Sequence, residues 1–287
     1  MKVDTFQFTE RLHRIFTIAK SLINKDEAIQ PIHLFVGACK EGTGVCEELY
    51  LYLTKVLGNH FLNQFNTNNN QQTYESIQIH GYNLSLLTNE VVKKAEQKMK
   101  RYGQTYLNEG HLLSALLEEE RSFTQYLDQN RIREILSIVA SPRDLIISLK
   151  NDIEPLNTKD GFIVRKVILE DFQNVRLFVQ TEFGNAWIES IQNGFNSSDP
   201  PIYIALEEGK VVGFACFDVV RNKKGIFGPM GTSRLARSRG IGSELLNHCI
   251  NEMKSIGYEY VVIDQAGPIE FYEKNCHAKL IPLMKSV

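Results

Sequence analysis

Residues 237–243 read Arg237-Ser238-Arg239-Gly240-Ile241-Gly242-Ser243, between a strand-like run ending near Ser233 and an amphipathic helix expected from about Ser243. Gly240 and Gly242 remove side chains where the backbone must turn tightly, so consecutive amide N–H groups can converge on a pyrophosphate at a helix N-terminus. Arg237 and Arg239 add positive charge of the kind that suits phosphate oxygens. A dinucleotide-binding turn is excluded. That motif needs G-x-G-x-x-G after the first strand and an acidic residue about 20 positions later, whereas this loop follows the fourth strand of its half with a different glycine spacing.

Other chemistries are missing their residues. The chain has no G-x-x-x-x-G-K-[ST] phosphate loop, no H-E-x-x-H pair and no G-x-S-x-G turn, which argues against an ATPase motor, a zinc protease and a serine hydrolase. The five cysteines (Cys39, Cys46, Cys216, Cys249 and Cys276) are odd in number and form no C-x-x-C pair. They read as buried reduced thiols, with no disulfide framework and no metal site expected. Lys223 and Lys224 read as a solvated turn.

Two halves position these residues. From Phe8 to about Leu149 the pattern is helical: Phe8, Leu12, Ile15, Phe16, Ala19 and Leu22 share one stripe after an N-cap at Thr9. A second helix starts at Gln30-Pro31 and ends at Gly42, and GVCEELYLYLTKVLG supplies a third. The order recurs in LTNEVVKKAEQKMKRYG, NEGHLLSALLEEE and SFTQYLDQN, with His33-Leu34 and His111-Leu112 as matching points 78 residues apart. Such a duplication lets two units bury faces that neither covers alone. The Asn-rich stretch 63–72 between them is expected to be a loop, and Pro155, Asn157, Asp160 and Gly161 mark the boundary between the halves. Thereafter the period switches to two. The expected order is β-α-α-β-β-β-α-β-α-β, with a hairpin turned at Glu208-Gly209 and an apolar helix face of Leu245, Leu246, Cys249, Ile250 and Met253.

The first half, over residues 7–149, resembles the duplicated helical N-terminal domain of Clp-family unfoldases, in the segments FTERLHRIFTIA and NEGHLLSALL. That resemblance implies a domain that docks substrates or adaptor proteins, and in one branch recognises phosphorylated arginine. The family usually carries Glu before the His of each copy, where this chain has Ile32 and Gly110. For His33 and His111 themselves the reading is local: each satisfies polar groups at a helix start.

The second half, over residues 162–287, resembles the GNAT acetyltransferase superfamily. RSRGIG matches its R/Q-x-x-G-x-G/A signature and YVVIDQAGPIEFYEKN its fifth strand and following helix. The resemblance implies that acetyl-CoA enters between the family's fourth and fifth strands, with its pyrophosphate on the amides of residues 238–243. It further implies pantetheine pairing and an oxyanion amide along 230–233, involving Met230 and Thr232, and Tyr272 as the acid that protonates the leaving thiolate. Asp264, at the end of the fifth strand, is a candidate base and equally a polar strand end. Glu182, Trp187 and Glu189 fall where the family shapes its acceptor side.

The expected architecture is two domains: an all-α duplicated helical-repeat domain over 1–150, then an α/β GNAT fold with a central mixed sheet over 161–287. With 32 Lys and Arg against 34 Asp and Glu the charge is −2, unlike a general nucleic-acid or acidic-membrane binder. The longest apolar runs are far shorter than a membrane span and the start has no apolar leader, so a cytoplasmic protein is expected. The leading functional expectation is an acetyl-CoA-dependent N-acetyltransferase acting on a primary amine, small molecule or protein, whose helical domain recruits a Clp-system or other protein partner. The alternative is a non-catalytic adaptor that keeps the GNAT fold as a scaffold.

Overall fold

The computed structural model describes residues 6–24, 27–65, 75–101, 103–119, 123, 126–150 and 161–283. They form two compact units, residues 1–141 with 282–287 and residues 142–281. No helix among the described residues is long and apolar enough to cross a membrane.

The first unit contains β1 (Gln7–Phe8), α1 (Glu10–Ser21), α2 (Pro31–Glu41), α3 (Gly44–Leu57), β2 (Ser76–Ile79), β3 (Tyr82–Ser85), α4 (Leu86–Arg101), β4 (Tyr106–Leu107), α5 (Glu109–Glu119) and α6 (Gln129–Val139). The duplication is visible in its caps. The Thr9 hydroxyl accepts the Leu12 N–H and the Ser85 hydroxyl accepts the Thr88 N–H, opening the equivalent helices α1 and α4. The copies also exchange backbone pairs: β1 runs parallel to β4, and Ile29 bridges Leu84. A buried ion pair from Arg11 to Glu109, 2.7 Å, ties α1 of one copy to α5 of the other. The third helix of the second copy is α6, capped by Asp128 on the Arg131 N–H; of the expected SFTQYLDQN helix, three of nine residues lie outside the described residues, and of the rest only the last two, Gln129 and Asn130, are α-helical, as the start of α6. Most of the loop expected at 63–72 and of the boundary at 150–162 also lies outside the described residues.

The second unit is a seven-stranded mixed sheet in the order β11-β5-β10-β9-β8-β7-β6. Its elements are β5 (Arg143–Ser148), β6 (Ile163–Lys166), α7 (Phe172–Phe183), α8 (Ile188–Phe195), β7 (Ile202–Glu207), β8 (Lys210–Phe217), β9 (Ile226–Thr232), α9 (Ile241–Ile256), β10 (Tyr260–Ala266), α10 (Ile269–Cys276) and β11 (Lys279–Leu280). Val175, Val179, Ile191 and Phe195 of α7 and α8 pack with Ile202, Ile204, Phe214 and Cys216 of the sheet. Helix α9 packs against β8 at Gly213, where a Cβ would meet Leu245 and Ile241 at 3.0 and 3.1 Å.

The helical reading of residues 143–149 is corrected. Arg143–Ser148 alternates buried and less buried residues and pairs antiparallel with both β10 and β11. Pro142 has no N–H to continue the preceding helix, and the Leu-Ile-Ile run suits a pleated, two-sided position. The strand therefore belongs to the second unit, between two strands that follow it by more than 100 residues.

Candidate functional site

Strands β9 and β10 run parallel but pair only at Ile226 with Val262 and at Phe227 with Ile263. Pro229 has no N–H to extend the ladder, and the register of β9 on β8 shifts between Phe227 and Met230. On the other side, Gln265 adopts φ 51° and donates its N–H to Asp144 of β5 at 2.9 Å, where the register of β10 on β5 shifts. A gap opens past Phe227. The Ser233 N–H donates to Val212 of the β8 side at 2.8 Å, and by alternation the N–H and C=O of Met230 and Thr232 face the gap.

Residues 237–243 run from the connection after β9 into the first turn of α9. Ser238 and Gly240 are left-handed, at φ 62° and 89°. Helix α9 begins at Ile241, two residues earlier than expected, and runs 16 residues with Gly240 as its N-cap. A glycine cap has no side chain to bond the first-turn amides, so the N–H groups of Ile241, Gly242 and Ser243 are left to an anion, on which the helix dipole also acts. Arg237 is half-buried and makes no hydrogen bond or ion pair among the described residues. Arg239 differs: its guanidinium grips Glu207 through two bonds of 2.6 and 3.0 Å. Of the two arginines, Arg237 carries the uncommitted charge.

Helix α10 closes this end. A Cβ on Gly242 would meet the Phe271 ring at 3.5 Å and the Met230 methyl at 4.0 Å, so loop, strand and α10 converge there. Tyr272 is 6% exposed, packed edge-on to Phe227 and Phe271. Burial pushes its pKa well above the ordinary value, and the phenol keeps its proton at neutral pH. No partner for its hydroxyl occurs among the described residues. Asp264 is engaged, accepting Arg221 Nη2 at 2.9 Å, and Arg221 is itself held at φ 52°.

On the α7–α8 side, Glu182 caps the Arg234 N–H at 3.2 Å, while Glu189 is exposed and unengaged among the described residues. Trp187 lies tilted against Phe183, 4.9 Å between centroids. Phe183 was not legible as a site residue. Its ring covers Gly231 so closely that a Cβ there would lie 2.4 Å from it. The sequence signal was a glycine inside an otherwise well-formed strand, which marks close approach of another group.

In the first unit, each of the two matched histidines closes its helix start. Gln30 donates its N–H to His33 Nδ1 at 3.0 Å, and Asn108 to His111 Nδ1 at 3.2 Å. At Gly110 a Cβ would meet the Val139 carbonyl at 2.7 Å, so an acidic side chain cannot be seated there without moving α6. Burial first, then Lys98, lowers the His111 pKa from 6.5 to about 4. Between these values the unfolded chain takes up a proton that the fold refuses, so stability is lost as pH falls through that window. His111→Gln keeps an acceptor for the Asn108 N–H without titrating. Thermal unfolding of the full chain from pH 7 to 4 should show a steeper decline for the native protein than for this variant, and parallel declines would exclude the histidine.

Residues 166–278 match the Acetyltransferase (GNAT) family model, and residues 5–130 match the Clp repeat (R) N-terminal domain model. No curated protein matches the chain significantly. Among solved structures it is similar to a GCN5-related N-acetyltransferase from Sphaerobacter thermophilus, with 19% identity, 49% of each chain covered and a TM-score of 0.41. A GNAT family N-acetyltransferase from Escherichia coli in complex with CoA is 15% identical, over 37% of this chain and 63% of that one, with a TM-score of 0.28. The N-terminal domain of the chaperone ClpD from Arabidopsis thaliana is 16% identical, over 48% of this chain and 96% of that one, with a TM-score of 0.32. The chain spans 49%, 22% and 39% of the first three solved structures it matches.

Proposed function

Because the chain joins a Clp repeat N-terminal domain to a domain of the GNAT acetyltransferase family, we propose that it is a cytoplasmic, acetyl-CoA-dependent N-acetyltransferase acting on a primary amine. The observation that carries this reading is the uncapped N-terminus of α9 beside the gap between β9 and β10. The amides of residues 238–243, with Arg237, hold the pyrophosphate, and the gap edge of β9 pairs with the pantetheine arm. Gly240 and Gly242 leave the approach free of side chains.

Acetyl-CoA supplies the thioester. A neutral amine attacks its carbonyl carbon, forming the C–N bond and an oxyanion, which the N–H groups of Met230 or Thr232 are turned to meet. Collapse breaks the C–S bond. Tyr272 passes its proton to the departing thiolate, and the amine proton leaves to water or to Asp264. Arg221 orients Asp264 through their ion pair, which suits the carboxylate to steering the incoming amine. Arg239 braces the loop through Glu207. In this reading the first unit recruits a protein partner of a Clp-type system or the protein that bears the amine.

Calorimetric titration of the full chain with acetyl-CoA and with CoA tests the donor site. One saturable site per chain is expected, and no binding by a folded sample would favour the adaptor reading. Tyr272→Phe is expected to lower kcat about 100-fold with acetyl-CoA affinity retained, followed by thiol release. Full activity of this variant across the pH range would remove the acid role.

A further inference from the structure

Resting on the transferase reading, we propose that the acceptor presents its amine on a flat apolar group, as an arylalkylamine does, and is not a polycation. An acceptor must reach the thioester along β9, at the residues whose amides face the gap. Between Met230 and Thr232 lies Gly231, and the Phe183 ring sits directly on it. The surface a nucleophile crosses there is therefore aromatic. Trp187 extends it, 4.9 Å from Phe183 and 5.9 Å from Phe214.

The chain is shaped to build this surface. Gly184 ends α7 at φ 77° and ψ −156°, a conformation open to glycine alone, and so returns the chain to lay Trp187 on Phe183. Phe183 and Trp187 are only partly buried, and the Trp187 indole N–H has no hydrogen-bond partner among the described residues. A ring edge with a free donor can both stack and bond a ligand.

Charge argues in the same direction. Arg221 is already paired with Asp264, and Arg234 and Arg237 lie close enough to repel one another beside Glu182. Of the carboxylates, Glu182 is turned to the Arg234 N–H and Asp264 is shared with Arg221, leaving Glu189 unengaged. One ammonium on an apolar body can be accommodated. Several would find only Glu182 and Glu189 as acidic partners along the segment from α7 to α8.

Trp187 is the only tryptophan of the chain, so its fluorescence reports acceptor binding without turnover. The test titrates the full chain, saturated with CoA, with phenethylamine, spermidine and an aminoglycoside, and measures CoA release from acetyl-CoA with each. A saturable change in Trp187 emission is expected for phenethylamine, with kcat/KM at least about tenfold above that of the polycations. Trp187→Leu should raise the phenethylamine KM about tenfold with acetyl-CoA affinity unchanged, and Trp187→Phe should restore most of it. Acetyl-CoA binding with a polycation equally good or preferred would overturn the acceptor assignment alone. Failure of a folded sample to bind acetyl-CoA would overturn that assignment together with the transferase reading.

Discussion

Gly240→Glu is expected to weaken acetyl-CoA binding by about 100-fold or more, an estimate that combines strain with repulsion. Gly240 is at φ 89°, where an L-residue costs roughly 1–2 kcal/mol, and it caps the helix whose first amides are otherwise unbonded. Glu adds a carboxylate against the pyrophosphate on top of that strain. Gly240→Ala separates the two contributions, since it brings the same strain without the charge and should cost only about tenfold. Calorimetry on both variants, with thermal unfolding to confirm that each is folded, makes the comparison. Equal affinities of the Gly240→Glu variant and the native protein would sink the assignment of this loop.

The second large effect concerns where the second unit begins. A chain of residues 161–287 contains every motif of the acetyltransferase half, but it lacks β5. Leu145 and Ile147 are fully buried there, Arg143 donates to the Ile281 carbonyl at 3.1 Å, and β10 and β11 each have β5 as a neighbour. Its removal opens an apolar trench in the sheet and bares the edge of β10, the strand that also carries Asp264. The 161–287 chain should show no cooperative thermal transition and should aggregate, whereas 142–287 should unfold cooperatively and bind acetyl-CoA. Cooperative unfolding of both chains, measured by circular dichroism, would show that the strand is dispensable.

The start of the second unit is hidden in the sequence by its neighbours. The stretch RDLIIS is six residues long and follows a helix directly, so periodicity alone places it with the preceding helices. Its partners come from the far end of the chain, and nothing near it in sequence names them.

The turn and helix start at residues 237–243 were legible because they depend on neighbours in sequence. Glycine positions set where the backbone can turn left-handed, and the helix that follows sets where the amides point. The same holds for the cap at Thr9, for the helix starts at His33 and His111, and for the duplication they reveal. Charge was legible only as a type. Arg237 and Arg239 look alike in sequence, yet Glu207 neutralises one of them, and Asp264 became an engaged carboxylate only when the connection after β8 brought Arg221 to it. The gap between β9 and β10, the ring of Phe183 on Gly231 and the place of β5 in the sheet were likewise decided by tertiary structure. Local conformation follows from the backbone and its adjacent side chains, whereas strand neighbours, ion pairs and close ring contacts join residues that only the folded chain brings together.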